Sequence, residues 1–176
     1  MLVRFFRLLL EPKNLLLAIA VYCAGLLLFA MWLVHVVNLV PCPLCIAQRF
    51  FYAFVGLAAL AGYMGWWQRF TVRSAGFFVG AFAFLGWMIA ARHVYLQHFQ
   101  KIVESSGCAV SFGSVVDDFL AALGGTGNCA IIDWTMLGLS IADWSLIAFT
   151  GLTAAGIWIY RQSRRVSEGM ISGTAV

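Results

Sequence analysis

Charge is what this chain has least of. Only 10% of its 176 residues are charged and seven are acidic, against about 25% charged in a typical soluble domain. So little charge excludes an ordinary soluble globular protein. Proline is limited to three residues, and no Pro/Ser-rich stretch or charge run divides the chain, so residues 1–176 read as one integral membrane domain. No basic stripe interleaved with exposed aromatics is visible, so the net charge of +4 is not a nucleic-acid signal. The apolar runs are continuous rather than alternating in segments of about ten residues, which argues against a transmembrane β-barrel.

What is abundant is apolar surface, at 63% of residues. Four runs, about 14–36, 44–65, 75–96 and 144–161, each reach the roughly 20 helical residues that cross a bilayer core. The connections from His35 to Cys45 and from Trp66 to Ser74 are short, so neighbouring spans are antiparallel and the fold class is all-α, a membrane four-helix bundle. Gly76 and Gly80 form a Gly-x-x-x-Gly on the third span, a pattern expected to serve helix packing inside the bundle. The first run exceeds the roughly 7–15 residues of a signal-peptide core and no Ala-x-Ala site follows it, so it reads as a retained span.

Arg4, Arg7 and Lys13 precede the first span, Arg69 and Arg73 separate the second from the third, and Arg161, Arg164 and Arg165 follow the fourth. The bias of basic residues toward the cytoplasm puts these flanks, and both termini, on that side. The opposite side carries Lys101 and an acidic set, Glu104, Asp117, Asp118, Asp133 and Asp143. Trp32, Trp66, Trp67 and Trp144 fall near span ends, where indole rings suit the membrane interface.

The loop of about 97–143 is too long to be a mere connection. Within it Val115, Val116, Phe119, Leu120 and Leu123 share one side of a helical wheel opposite Asp117 and Asp118, with Ser114 placed to cap, which predicts a short helix on the membrane surface. Gly124-Gly125-Thr126-Gly127-Asn128 then leads into Cys129, a flexible approach for that thiol.

Five cysteines are present, Cys23, Cys42, Cys45, Cys108 and Cys129. All but Cys23 face the non-cytoplasmic side, where disulfides persist in an oxidising compartment; Cys23 lies mid-span as a small packing residue. Four thiols allow three pairings. As structural staples they are unequal, because a Cys-x-x-Cys ring closes almost no chain and stabilises little, whereas such motifs exchange readily. A structural zinc is disfavoured: the second pair is not a Cys-x-x-Cys, and His93 and His98 are not spaced as in a finger.

Pro41 and Pro43 flank Cys42, which suits a helix starting there. Cys42 and Cys45 then lie in its first turn, where free amides and the helix dipole stabilise a thiolate. Arg49 stands four residues beyond Cys45 on the same face. An arginine costs about 2.5–3.5 kcal/mol at the bilayer centre and less near its edge. It either snorkels to head groups or faces a bound anion, and its place on the cysteine face favours the anion.

Trp32-x-x-His35-Val36, Pro41-Cys42-x-Leu44-Cys45-x-x-x-Arg49, Arg92, Gly127-Asn128-Cys129 and Asp133-Trp134-x-x-Leu137-Gly138-Leu139 together resemble DsbB, the bacterial inner-membrane disulfide-bond formation family. The resemblance covers nearly the whole chain. It implies a four-helix bundle in the bacterial inner membrane, with the long loop periplasmic, that oxidises a thioredoxin-fold partner of the DsbA type and passes the electrons to ubiquinone, with menaquinone as the alternative. By position, Cys108 would receive the partner's thiolate, Cys108–Cys129 would exchange with Cys42–Cys45, and Cys45 would face the quinone beside Arg49. A DsbA-type partner is itself a strong oxidant, at about −120 mV, so the quinone must supply the pull. The loop before Cys108 is short and its surroundings differ from the commonest pattern, which bears on partner identity. Gln100 stands where many members carry a histidine near the quinone, so no histidine is assigned a role. No metal is expected. Two other readings stay open: a thiol–quinone oxidoreductase like the vitamin K epoxide reductases, which should carry the motif in a later helix, and a nonredox membrane protein with structural disulfides.

Overall fold

A computed structural model of the chain describes residues 11–38, 42–65, 71–99 and 134–173. Four helices dominate: α1 (Pro12–Val36), α2 (Pro43–Met64), α3 (Val72–Phe99) and α4 (Ile141–Gly173). Each contains a stretch long and apolar enough to span a membrane. Three of the helices outrun the predicted spans, α4 most of all, because hydrogen bonding within a helix continues past the point where its side chains turn polar, here at Arg161, while α2 matches its span to within one residue at each end. The predicted surface helix, the glycine-rich approach, Cys108 and Cys129 lie outside the described residues.

Antiparallel packing is visible in the pairs that meet. Gly62 near the end of α2 abuts Leu16 near the start of α1 and Ala75 near the start of α3, while Gly76 faces Ile159 toward the end of α4. At the same end Lys13 lies over the ring of Tyr63 at 5.7 Å and Arg73 over Tyr160 at 5.4 Å. Lys13 and Arg73 thus stand at one end of the bundle, and Cys42 and Cys45 at the other.

The core is built from small and branched side chains. Ala59, Ala75, Val79, Ala83 and Ala90 are fully buried, together with Leu16, Val55, Phe149 and Ile159. Small residues on α3 let α4 approach closely, and Gly76 and Gly80 are used in this way within the bundle. Leu28, Leu57, Phe77 and Met88 point outward, as a membrane span requires, since lipid rather than water is the outer solvent. The interface of α3 with α4 is the most extensive, and α1 lies mainly on α2 with little contact to α4. That parting of α1 from α4 leaves room for a cavity.

Just before α4 the chain makes a hairpin, β1 (Thr135–Met136) against β2 (Leu139–Ser140), with Thr135 opposite Ser140. Its two turn residues, Leu137 and Gly138, have φ of 56° and 81°, the pattern of a type I′ turn that matches strand twist. The hairpin brings Trp134 and Met136 over the dithiol end of the bundle, where both line the cavity.

Candidate redox site

Cys42 is the N-cap of α2 and Pro43 its first helical residue, so only Cys45 lies within the first turn. The Cys42 Sγ accepts the backbone N–H of Cys45 at 3.3 Å, as a capping serine or aspartate oxygen would. The two sulfurs are 2.9 Å apart. Because helix geometry holds them together, closing the ring needs side-chain rotation rather than backbone movement.

Cys42 and Cys45 line a cavity of about 220 Å³ between α1 and α4. Leu26, Phe29 and Leu33 supply an apolar wall from α1, while Tyr52, Trp134 and Trp144 add aromatic surface. Arg49 lines the same cavity. The Trp144 indole N–H donates to the Met136 carbonyl at 3.1 Å, tying the hairpin to α4 beside the cavity. A second, shallower apolar crevice shares Tyr22 and Ala148 with this cavity and continues between α1 and α4 past Ala18 and Gly151.

The sequence reading missed a polar cluster behind the thiols. His93 of α3 is 2% exposed and Gln48 of α2 is 3% exposed. The His93 Nε2 lies 3.7 Å from the Cys42 Sγ, and its Nδ1 lies 3.3 Å from the Gln48 side-chain amide. Gln97, one turn along α3, approaches Nε2 at 3.4 Å and accepts the Ser140 hydroxyl at 2.8 Å. Ser140 and Asp143 cap α4 reciprocally: the Ser140 N–H donates to the Asp143 carboxylate at 3.0 Å, and the Asp143 N–H to the Ser140 Oγ at 3.2 Å. Asp143 also meets His98 at 3.3 Å. A signal for this cluster did exist, since Gln48 follows Cys45 by three residues and Gln97 follows His93 by four, and polar side chains inside a span ask for partners.

Among the described residues, Cys42, Cys45 and His93 also form a group able to hold a metal, their donor atoms within 4.8 Å of one another. Two thiolates and an imidazole suit zinc but fall one ligand short of a closed structural site. Arg49 shares the cavity, and its fixed positive charge favours an anion there over a cation.

The family model for disulfide bond formation protein DsbB matches residues 12–159. The chain belongs to the DsbB family. Its relatives include the disulfide bond formation protein B of Paracidovorax citrulli, 35% identical over 174 residues that cover 92% of this chain and 94% of that protein. The protein of the same name from Polaromonas naphthalenivorans is 39% identical over 163 residues, covering 85% and 93%. That from Azoarcus sp. is 35% identical over 155 residues, covering 84% and 93%. With its four spans, this DsbB-family chain is a multi-pass membrane protein of disulfide bond formation.

Proposed function

We propose that this chain is a quinone-dependent protein-disulfide oxidoreductase of the bacterial inner membrane. It reoxidises a periplasmic thioredoxin-fold partner of the DsbA type through two disulfides and delivers the electrons to ubiquinone, or to menaquinone where that is the lipid-soluble pool. The single observation that carries this reading is that Cys42, Cys45 and Arg49 line one apolar cavity between helices. A flat ring with two oxygens fits such a lining, apolar and aromatic on its walls with a cation at one end, and the crevice running on past Gly151 suits an isoprenoid tail.

When bound, the quinone supplies a sink for two electrons and two protons. The chain's own residues do the rest. Cys108 takes the partner's thiolate, the released Cys129 exchanges with the Cys42–Cys45 pair, and Cys45 faces the quinone. Arg49 holds negative charge in a low-dielectric site without reorganising, while the helix-start amides do the same for the thiolates. The gathering of Lys13, Arg73 and Arg161 at the end away from the thiols supports cytoplasmic termini. The whole chain acts as a single integral membrane domain.

The test mixes purified protein with a reduced DsbA-type partner and ubiquinone, following partner thiols and quinone absorbance together. Cys42→Ser and Cys45→Ser are expected to abolish both signals, and Arg49→Ala to slow quinone reduction by about 10²-fold, the scale of a lost charge-stabilising donor. Unchanged rates in the cysteine variants would show that the pair is structural.

A further inference from the structure

The geometry points to His93 as the proton acceptor for the Cys42 thiol, an assignment that rests on Cys42–Cys45 being redox active. Its Nε2 is the ring atom facing the Cys42 Sγ, at 3.7 Å, within reach of a hydrogen bond to sulfur. The step balances simply. The S–H bond of Cys42 breaks, an N–H bond forms on Nε2, and the electron pair stays on sulfur as thiolate. Closing the Cys42–Cys45 disulfide then releases two electrons and two protons in all, with a quinone as the oxidant that takes both.

The surroundings of the ring suit a group that changes protonation. Two side-chain amides meet the ring, Gln48 at Nδ1 and Gln97 at Nε2. A neutral imidazole accepts at one nitrogen only, so one of these amides must turn its oxygen inward, and an imidazolium requires both to do so. Side-chain amides are the neutral groups that satisfy either state by a half-turn. Ser140 permits the turn at Gln97, because its hydroxyl has the Asp143 carboxylate at 2.9 Å as a second acceptor. An amide does not itself relay protons, so Gln97, Ser140 and Asp143 position the ring, and the transfer runs between Cys42 and His93 alone.

Among the described residues, the titratable or charged groups lining the cavity with the ring are Tyr22 on α1 and Cys45, Arg49 and Tyr52 on α2, with His98 on α3 and Asp143 on α4 paired nearby, while His35 on α1 and Arg92 and Tyr95 on α3 stand at the same end of the bundle. Asp143 is linked to the ring through Ser140 and Gln97. Arg49 favours the thiolate over the thiol from within the cavity, and so assists the transfer.

The test needs no quinone and no partner: fully reduced protein is alkylated with iodoacetamide from pH 6 to pH 10, and Cys42 modification is followed by peptide mass spectrometry. Wild-type Cys42 is expected to show a reactive plateau near neutral pH from a thiolate–imidazolium pair. In His93→Gln, which keeps a hydrogen-bonding side chain but cannot hold the proton, reaction at pH 6.5 should slow about tenfold and the two rates should converge near pH 10. A wild-type profile with one rise near the ordinary thiol value of about 8.5 overturns the assignment without any variant, as does a His93→Gln profile identical to wild type. Loss of quinone reduction with the plateau intact would count against the proposed function and leave the proton assignment standing.

Discussion

The β-carbon that Gly156 lacks would stand 2.5 Å from the backbone nitrogen of Gly80. Helices α3 and α4 therefore cross backbone against backbone. Gly156→Ala is expected to cost about 1–3 kcal/mol by forcing them apart. Gly151→Ala is the control, with nothing within 4 Å of its added carbon, and should leave stability level or raise it through better helix propensity. Thermal unfolding in detergent micelles checks both, and equal drops in the two variants would contradict the crossing.

Tyr52 and Phe149 stack with centroids 4.2 Å apart and planes 10° from parallel, and the Tyr52 hydroxyl donates to the Ser145 carbonyl at 3.4 Å. Phe149 also fills the space opposite Gly86. Phe149→Ala should cost about 3–5 kcal/mol through the hole it leaves, whereas Tyr52→Phe keeps the stack and should cost only about 0.5–1.5 kcal/mol. Denaturation of the two variants side by side measures the gap, and a costlier Tyr52→Phe would reverse the assigned order.

The reciprocal cap of α4 gives a local prediction. Ser140→Ala removes the acceptor for the Asp143 N–H and the donor to Gln97, and should cost about 1 kcal/mol. Hydrogen exchange of the first-turn amides of α4 should quicken more than that of amides deep in the helix. Uniform exchange along α4 would mean the cap contributes nothing there.

Cys23 is 1% exposed and packs against Gly56, eleven residues along α2 from Cys45 and so about 16 Å away along its axis. Cys23→Ala is expected to leave partner oxidation and quinone reduction at wild-type rates. A fall of more than about threefold, beyond what a loss of folded protein explains, would give this thiol a chemical role.

The four spans, their antiparallel order and the helix start at Pro43 were legible in the sequence, because each is a local property. A continuous apolar run has no stable alternative to a helix in lipid, and proline after Cys42 marks a first turn wherever the rest of the chain lies. The Cys45–Arg49 face followed from the same helical spacing. The hairpin at residues 135–140 was not legible, since its turn uses Leu137 at positive φ, where propensity expects glycine or asparagine.

The partners of His93 belong to tertiary structure alone. Cys42 and His93 are 51 positions apart, and no periodicity within either helix states which turn of α3 faces the start of α2. That register is decided by how closely α3 approaches its neighbours, at Gly62 against Ala75 and at Gly80 against Gly156, and close packing turns an error of one helical turn into a clash rather than a small loss. The cavity is decided in the same way. Most wall residues are apolar for the ordinary reason that they sit in a membrane, and only the parting of α1 from α4 makes a cavity of them beside two sulfurs and an arginine.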